Sequence, residues 1–216
     1  MTKKAAQLRN HYRGEIYPMI GLEHDWNMLA EKALNNDTLS FDEALSVLKA
    51  EDDELLPMLQ AAFAVRKKHF GKKVKLNFIV NAKSGLCPED CGYCSQSIVS
   101  RAAIEKYPLL EKEALIDGAR KALEMNAGTY CIVASGRGPT QRELVQVVEA
   151  VKTIKAEMPI KICACLGILS QDQADELKQA GVDRYNHNLN TSESHFSQIT
   201  STHTYTDRVD TVQKAR

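Results

Sequence analysis

Three cysteines stand in the run Gly85-Leu86-Cys87-Pro88-Glu89-Asp90-Cys91-Gly92-Tyr93-Cys94, with the spacing C-x3-C-x2-C. Three thiolates this close together can hold a four-iron cluster by three corners and leave the last iron open to a ligand that is not protein. A closed four-thiolate site carries electrons or holds structure, whereas an open iron is where chemistry can happen. Pro88 and Gly92 suit a chain that wraps around an inorganic core. The competing reading is a structural zinc site, and with it a zinc-stabilised, non-catalytic binding module. Structural zinc takes four protein ligands, usually from paired C-x2-C knuckles. Here no second knuckle or histidine pair follows nearby.

The elements that must position this loop can be read from periodicity. Val74-Lys75-Leu76-Asn77-Phe78-Ile79-Val80 alternates and is rich in β-formers, so it reads as a strand leading into the loop. Further strands are expected at 130–134, from Ile160 to Leu166 and from Val182 to Leu189. Helices are expected around 111–126 and over 140–157, where Leu144, Val147, Val148, Val151 and Ile154 recur at helical spacing. Ser170 with Gln173 opens another helix and Gly181 ends it, and a further one begins over 205–216 with Val209 and Val212. Strand–helix alternation of this kind gives right-handed βαβ units and a parallel sheet. The cysteine loop then lies at the carboxyl end of the first strand, where sites of such folds gather.

Ahead of the sheet, residues 1–24 read as a loose leader and 25–71 as a helical segment. Its helices begin at Trp26 and at the Ser40/Glu43 capping box, and a third carries Leu55, Leu56, Leu59, Phe63 and Phe70 before Gly71. The expected class is α/β: a partial (βα) TIM-type barrel of about four βα units over 72–216, preceded by that small helical segment. A closed eight-stranded barrel usually needs about 200–250 residues. The chain stops at Gln213-Lys214-Ala215-Arg216 inside an apparent helix, so a truncated polypeptide holding the amino-terminal half of a barrel is expected. A small open α/β sheet, complete as it stands, is the alternative.

Composition narrows the function classes. The 216 residues carry 28 Lys+Arg against 28 Asp+Glu, a formal net charge of zero, which offers no electrostatic argument for nucleic acid or an anionic membrane. No stretch approaches the ~18 apolar residues of a membrane span. Six cysteines without an export signal point to a reducing, cytoplasmic location, where they read as metal ligands more readily than as disulfides.

The C-x3-C-x2-C loop after a first barrel strand resembles the radical S-adenosylmethionine superfamily. The wider run Asn81–Ser97, together with Gly128–Pro139 and Tyr185-Asn186-His187-Asn188-Leu189-Asn190-Thr191-Ser192, is similar to the biotin synthase family within it. The resemblance covers about residues 40–216. It implies that Cys87, Cys91 and Cys94 hold a 4Fe–4S cluster whose open iron is chelated by the amino and carboxylate groups of S-adenosylmethionine. One electron then splits that cofactor into methionine and a 5′-deoxyadenosyl radical, which takes hydrogen from unactivated carbons of dethiobiotin. A second, 2Fe–2S cluster supplies the sulfur that closes the ring of biotin. By the same resemblance Cys131 and Cys163 are ligands of this second cluster, and its other ligands, a cysteine and an arginine, lie on later strands beyond Arg216.

The resemblance also places Tyr93, Ala134, Asn188, Asn190 and Arg208 around S-adenosylmethionine, with Arg208 reaching its carboxylate. Many family members carry Asp where this chain has Asn190. No side chain is assigned as catalytic, because the hard chemistry belongs to the cofactors. The implied partners are dethiobiotin, a flavodoxin-like or ferredoxin-like electron donor and a second copy in a homodimer; nucleic acid and membrane are not among them. The present polypeptide alone is expected to make no biotin, and another radical enzyme sharing the loop is the runner-up.

The remaining candidates read more simply. Cys165 shares a strand face with Cys163 and reads as packing. Asn186, Asn188 and Asn190 alternate along the last strand, and three amides on one face ask for a polar ligand or water. Ser135-Gly136-Arg137-Gly138 lacks the Lys-Ser/Thr ending of a phosphate loop and reads as the wall of the cofactor site. His11, His24, His69, His195 and His203 show no ligand spacing and read as surface or packing residues.

Overall fold

A computed structural model describes residues 24–216. The expected leader over 1–24 lies outside the described residues except for His24, and so does His11. The chain divides into two compact units, with the boundary between Val74 and Lys75.

The first unit holds helices α1 (Trp26–Leu34), α2 (Phe41–Lys49) and α3 (Leu55–Phe70), with a 3-10 turn at Asp52–Glu54. The Ser40/Glu43 capping box forms as its sequence signature predicts. The apolar stripe read along α3 is not its buried face: Leu55, Leu56, Leu59, Phe63 and Phe70 are all exposed, while Ala61 is buried and Met58 and Val65 pack with it against Trp26 and Leu29. Periodicity finds a face at 3.6 residues per turn, but on a helix with apolar residues nearly all round it cannot say which face turns inward.

The second unit is a four-stranded parallel sheet in the order β1 (Asn77–Lys83), β2 (Thr129–Ala134), β3 (Lys161–Cys165), β4 (Arg184–Tyr185). The crossovers are α4 (Lys112–Glu124), α5 (Gln141–Glu157) and α6 (Gln171–Ala180), and α7 (Glu193–Ile199) and α8 (Tyr205–Lys214) follow β4. Phe78, Tyr130 and Ile162 are register partners facing the helices, as are Val80, Ile132 and Ala164. With Leu115, Leu144, Val147, Val151 and Ile154 they form the core. Gly118 in mid-helix has a packing reason: a Cβ there would lie 2.3 Å from the Tyr130 phenol, which donates to the Leu115 carbonyl at 2.9 Å.

Two expectations need correction. The first strand begins and ends three residues later than the alternating run, because Val74 and Leu76 stay exposed while Ala82 is fully buried. The last strand keeps only Arg184 and Tyr185, since β3 ends at Cys165 and, among the described residues, no further strand lies beside β4. Helix α8 forms where the sequence places it, with Thr211 as its fully buried position. The short helix α7 had no sequence expectation at all.

Candidate metal and cofactor site

β1 delivers the chain into the cysteine loop through two left-handed residues, Gly85 (φ 62) and Leu86 (φ 57). A leucine in that region is uncommon and strained, and such strain survives only where the surroundings enforce it. Here they do. The Gly85 amide donates to the Gln96 side chain, and the Glu89 carbonyl accepts from Ile98 N (3.0 Å) and Ser97 Oγ (3.0 Å).

A second segment, Ile199 to His203, straps the loop from outside. Gly92 N donates to the Ile199 carbonyl at 2.9 Å. Asp90 accepts from Thr200 Oγ1 (2.6 Å), Ser201 N (2.9 Å) and Thr202 Oγ1 (3.0 Å). Glu89 is buried and accepts from Thr202 Oγ1 (2.7 Å) and from the His203 ring, with Arg137 Nη1 at 3.4 Å. Burial alone would push the Glu89 carboxyl up; hydrogen bonds from Thr202 and His203 overcome it and hold the group below its usual range. The two acidic residues of the motif are therefore anchors of the loop.

Hydrogen bonds from Ser201 and Thr200 hold the half-buried Asp90 carboxyl far below the usual carboxylate range. Such a depressed value adds stability that is whole above the unfolded value near ~4 and drains as pH falls further. Asp90→Asn in the metal-free protein is expected to lower the melting temperature by a few degrees at neutral pH. The gap between variant and parent should close in acid, which thermal scans across pH would check.

The loop cysteines open into one cavity of about 270 Å³ at the carboxyl ends of the strands. Cys87, Cys91 and Cys94 line it together with Tyr93, Ala134, Asn188, Asn190 and Arg208. Cys91 is buried, with its thiol 3.8 Å from Thr200 Oγ1, and Cys87 and Cys94 are half-buried. Burial pushes the Cys87 thiol up, so metal binding there has to displace a proton. Among the described residues no three His, Cys, Asp or Glu side chains converge closely enough to ligate a single ion. Thiols spread around a cavity suit a cluster, where each binds its own iron, better than one zinc. His187 adds a buried Nε2 without a hydrogen-bond partner, and burial, aided by nearby Arg208, pulls its pKa to about 4, leaving the ring neutral. An orphaned polar atom at the wall of a cavity marks a place for a ligand.

The amide side of the cavity is tied to the loop. Asn190, left-handed at φ 69, donates its Nδ2 to the Tyr93 phenol oxygen. Arg208 Nη2 approaches the same oxygen at 3.5 Å, and Arg208 Nη1 donates to the Asn188 carbonyl at 2.8 Å. An aspartate at position 190 could not donate in this way, so the departure from the family pattern has a local partner.

Cys131 and Cys163 do not line this cavity. They are direct register partners on the opposite sheet face from the helices, in a row with Ile79 and Arg184. Burial, with Cys131 beside it, pushes the Cys163 thiol up to about 11. Two sequence readings change here. Cys165, read as packing, lines the cavity. His203, read as surface or packing, is buried and bonded to both Glu89 and Arg208. No spacing signal pointed to His203; its partner is 114 residues away.

Comparison with known proteins agrees with this geometry. Residues 83–216 match the family described as the Radical SAM superfamily. The chain is 59% identical over 189 residues to the biotin synthase of Lysinibacillus sphaericus, spanning 88% of this chain and 57% of that protein. It is 56% identical over 193 residues to the biotin synthase of Bacillus subtilis, spanning 89% and 58%. It thus covers little more than half the length of these relatives. Among solved structures it resembles methylornithine synthase (TM-score 0.73, 21% identity, 87% of this chain and 55% of that one). It also resembles the FeFe-hydrogenase maturase HydG of Carboxydothermus hydrogenoformans (TM-score 0.68, 21% identity, 88% and 45%), and at such identity these two speak for the fold alone. No helix among the described residues is long and apolar enough to cross a membrane. With the family match running from the end of β1 through the cysteine loop and every later element that walls the cavity, the chain belongs to the radical SAM superfamily.

Proposed function

We propose that this chain serves the biotin synthase reaction, the sulfur insertion that converts dethiobiotin to biotin. In this reading residues 72–216 are the amino-terminal half of a radical SAM barrel, and Cys87, Cys91 and Cys94 hold the 4Fe–4S cluster. Tyr93, Ala134, Asn188, Asn190 and Arg208 bind S-adenosylmethionine, and Cys131 and Cys163 are two ligands of a 2Fe–2S cluster. Bound in the loop, the open-cornered cluster supplies the electron that cleaves S-adenosylmethionine reductively. The protein's own part is to orient and to exclude water: Arg208 offers its guanidinium edge to a carboxylate, and the Asn188 carbonyl and the Asn190 side-chain amide close the wall beside it.

The observation that carries the reading is the register pair Cys131–Cys163 on the sheet face turned away from the helices. Two thiols in register on one sheet face suit the ligands of a second cluster, which is why another member of the superfamily is the weaker reading. Identity of 55–59% to curated biotin synthases supports it. Dethiobiotin as substrate, a flavodoxin-like or ferredoxin-like donor and a homodimer are parts of the same proposal.

Protein reconstituted anaerobically with iron and sulfide is expected to be brown and, with a strong reductant, to cleave S-adenosylmethionine to methionine and 5′-deoxyadenosine. In the whole enzyme dethiobiotin should be consumed as biotin appears. Colourless protein carrying one zinc per chain would overturn the assignment.

A further inference from the structure

We propose that His203 is a positioning residue that sets the guanidinium of Arg208 for its ligand, held in turn by Glu89 of the cysteine loop. Arg208 Nε lies 3.0 Å from His203 Nε2. A guanidinium only donates, so Nε2 must be the unprotonated ring nitrogen. The ring proton therefore sits on Nδ1, which donates to Glu89 Oε2. Each bond fixes the next: the carboxylate selects the tautomer, and the tautomer presents a lone pair to Nε.

The ring has little freedom to do otherwise. His203 is 6% exposed and packs edge-on against Phe196 at 5.6 Å between centroids. The Arg208 guanidinium carbon stands 5.9 Å from the same Phe196 ring. With Nε on His203, Nη1 on the Asn188 carbonyl and Nη2 near Tyr93, three of the five donors of the guanidinium are engaged by protein. The remaining Nη hydrogens are free for a carboxylate in the cavity that Arg208 lines. Without His203 the guanidinium would keep its charge and lose the contact that fixes rotation about its long stem.

This inference rests on the reading of Arg208 as the carboxylate partner of S-adenosylmethionine, and the test separates the two. S-adenosylmethionine and its decarboxylated analogue are titrated calorimetrically into cluster-reconstituted parent, His203→Leu, His203→Gln and Arg208→Gln proteins. His203→Leu is expected to weaken S-adenosylmethionine about tenfold or more, the range typical of lost supporting contacts. His203→Gln should stay within about threefold of the parent, since its amide oxygen can accept from Nε while its nitrogen donates to Glu89. The decarboxylated analogue should bind parent and His203 variants alike. Unchanged S-adenosylmethionine affinity in His203→Leu, with Arg208→Gln weakened, would overturn the positioning role and leave the carboxylate reading standing. Equal loss of both ligands in His203→Leu, without recovery in His203→Gln, would mean a structural role only and would also overturn it. Should Arg208→Gln bind S-adenosylmethionine like the parent, the carboxylate reading itself fails and the proposal falls with it.

Discussion

Cys91→Ser is expected to abolish the 4Fe–4S cluster while leaving the fold in place. Cys91 is the one loop cysteine that is buried, 7% exposed, and its thiol neighbours Thr200 Oγ1. Serine is nearly the same size and can keep that neighbour, so the strap and the sheet have no reason to move. What is lost is a thiolate: an alkoxide is not available at neutral pH, and a cuboidal cluster on two thiolates has two uncovered corners. After anaerobic reconstitution the reduced protein should show no cuboidal-cluster resonance, and iron and sulfide should fall towards whatever the Cys131–Cys163 pair retains. Reductive cleavage of S-adenosylmethionine should drop by about a thousandfold or more, as when a group that acts as part of a unit is removed. Far-ultraviolet dichroism should match the parent. Retention of the cluster by the serine variant would mean that the cavity, rather than the thiolate tripod, holds it.

The cysteine loop was legible because its chemistry is local: three ligands within eight residues need no knowledge of the fold. The βα alternation was legible for a related reason, since α4, α5 and α6 each bury a clear stripe, and α5 and α6 open on capping boxes, Thr140/Glu143 and Ser170/Gln173. Strand limits were not. A strand ends where its neighbour stops pairing, and Val182 to Leu189 looks like eight residues of strand while β3 offers partners for two. The Glu89–His203–Arg208 line was invisible for the same physical reason. Its members lie on the cysteine loop, a strap and a helix, and only the folded chain brings 114 residues of separation down to a hydrogen bond. Asp90 and Glu89, lying between the cysteines, look like solvated charge until Thr200, Ser201 and Thr202 close over them.

The cavity wall opposite the cysteines depends on a backbone contact, and Gly167→Ala is expected to break it. Gly167 follows β3 with φ 95, and a Cβ there would stand 2.3 Å from the Arg137 carbonyl oxygen and 3.0 Å from that of Gly136. Those atoms are backbone and cannot swing aside. The Arg137 carbonyl is also engaged, accepting from Ile168 N at 2.6 Å, and the Gly167 carbonyl accepts from the Tyr185 phenol. Left-handed strain of about 1–2 kcal/mol adds to an overpacking cost of about 1–3 kcal/mol, so a loss near 3 kcal/mol is expected in urea unfolding. Because Gly136, Arg137, Gly167 and Ile168 all line the cavity, the loops after β2 and β3 must part to admit the methyl group, and S-adenosylmethionine binding should weaken with stability. Gly128→Ala is the contrast. It too sits beside β2, but its φ is ordinary and its Cβ would meet only the Leu76 carbonyl at 3.9 Å, so a change within about 0.5 kcal/mol is expected. Similar losses in the two variants would mean that glycine matters at Gly167 only for chain flexibility. A large loss confined to Gly167→Ala would mean that the site is walled by two loops whose backbones touch because Gly167 has no side chain at the point of contact.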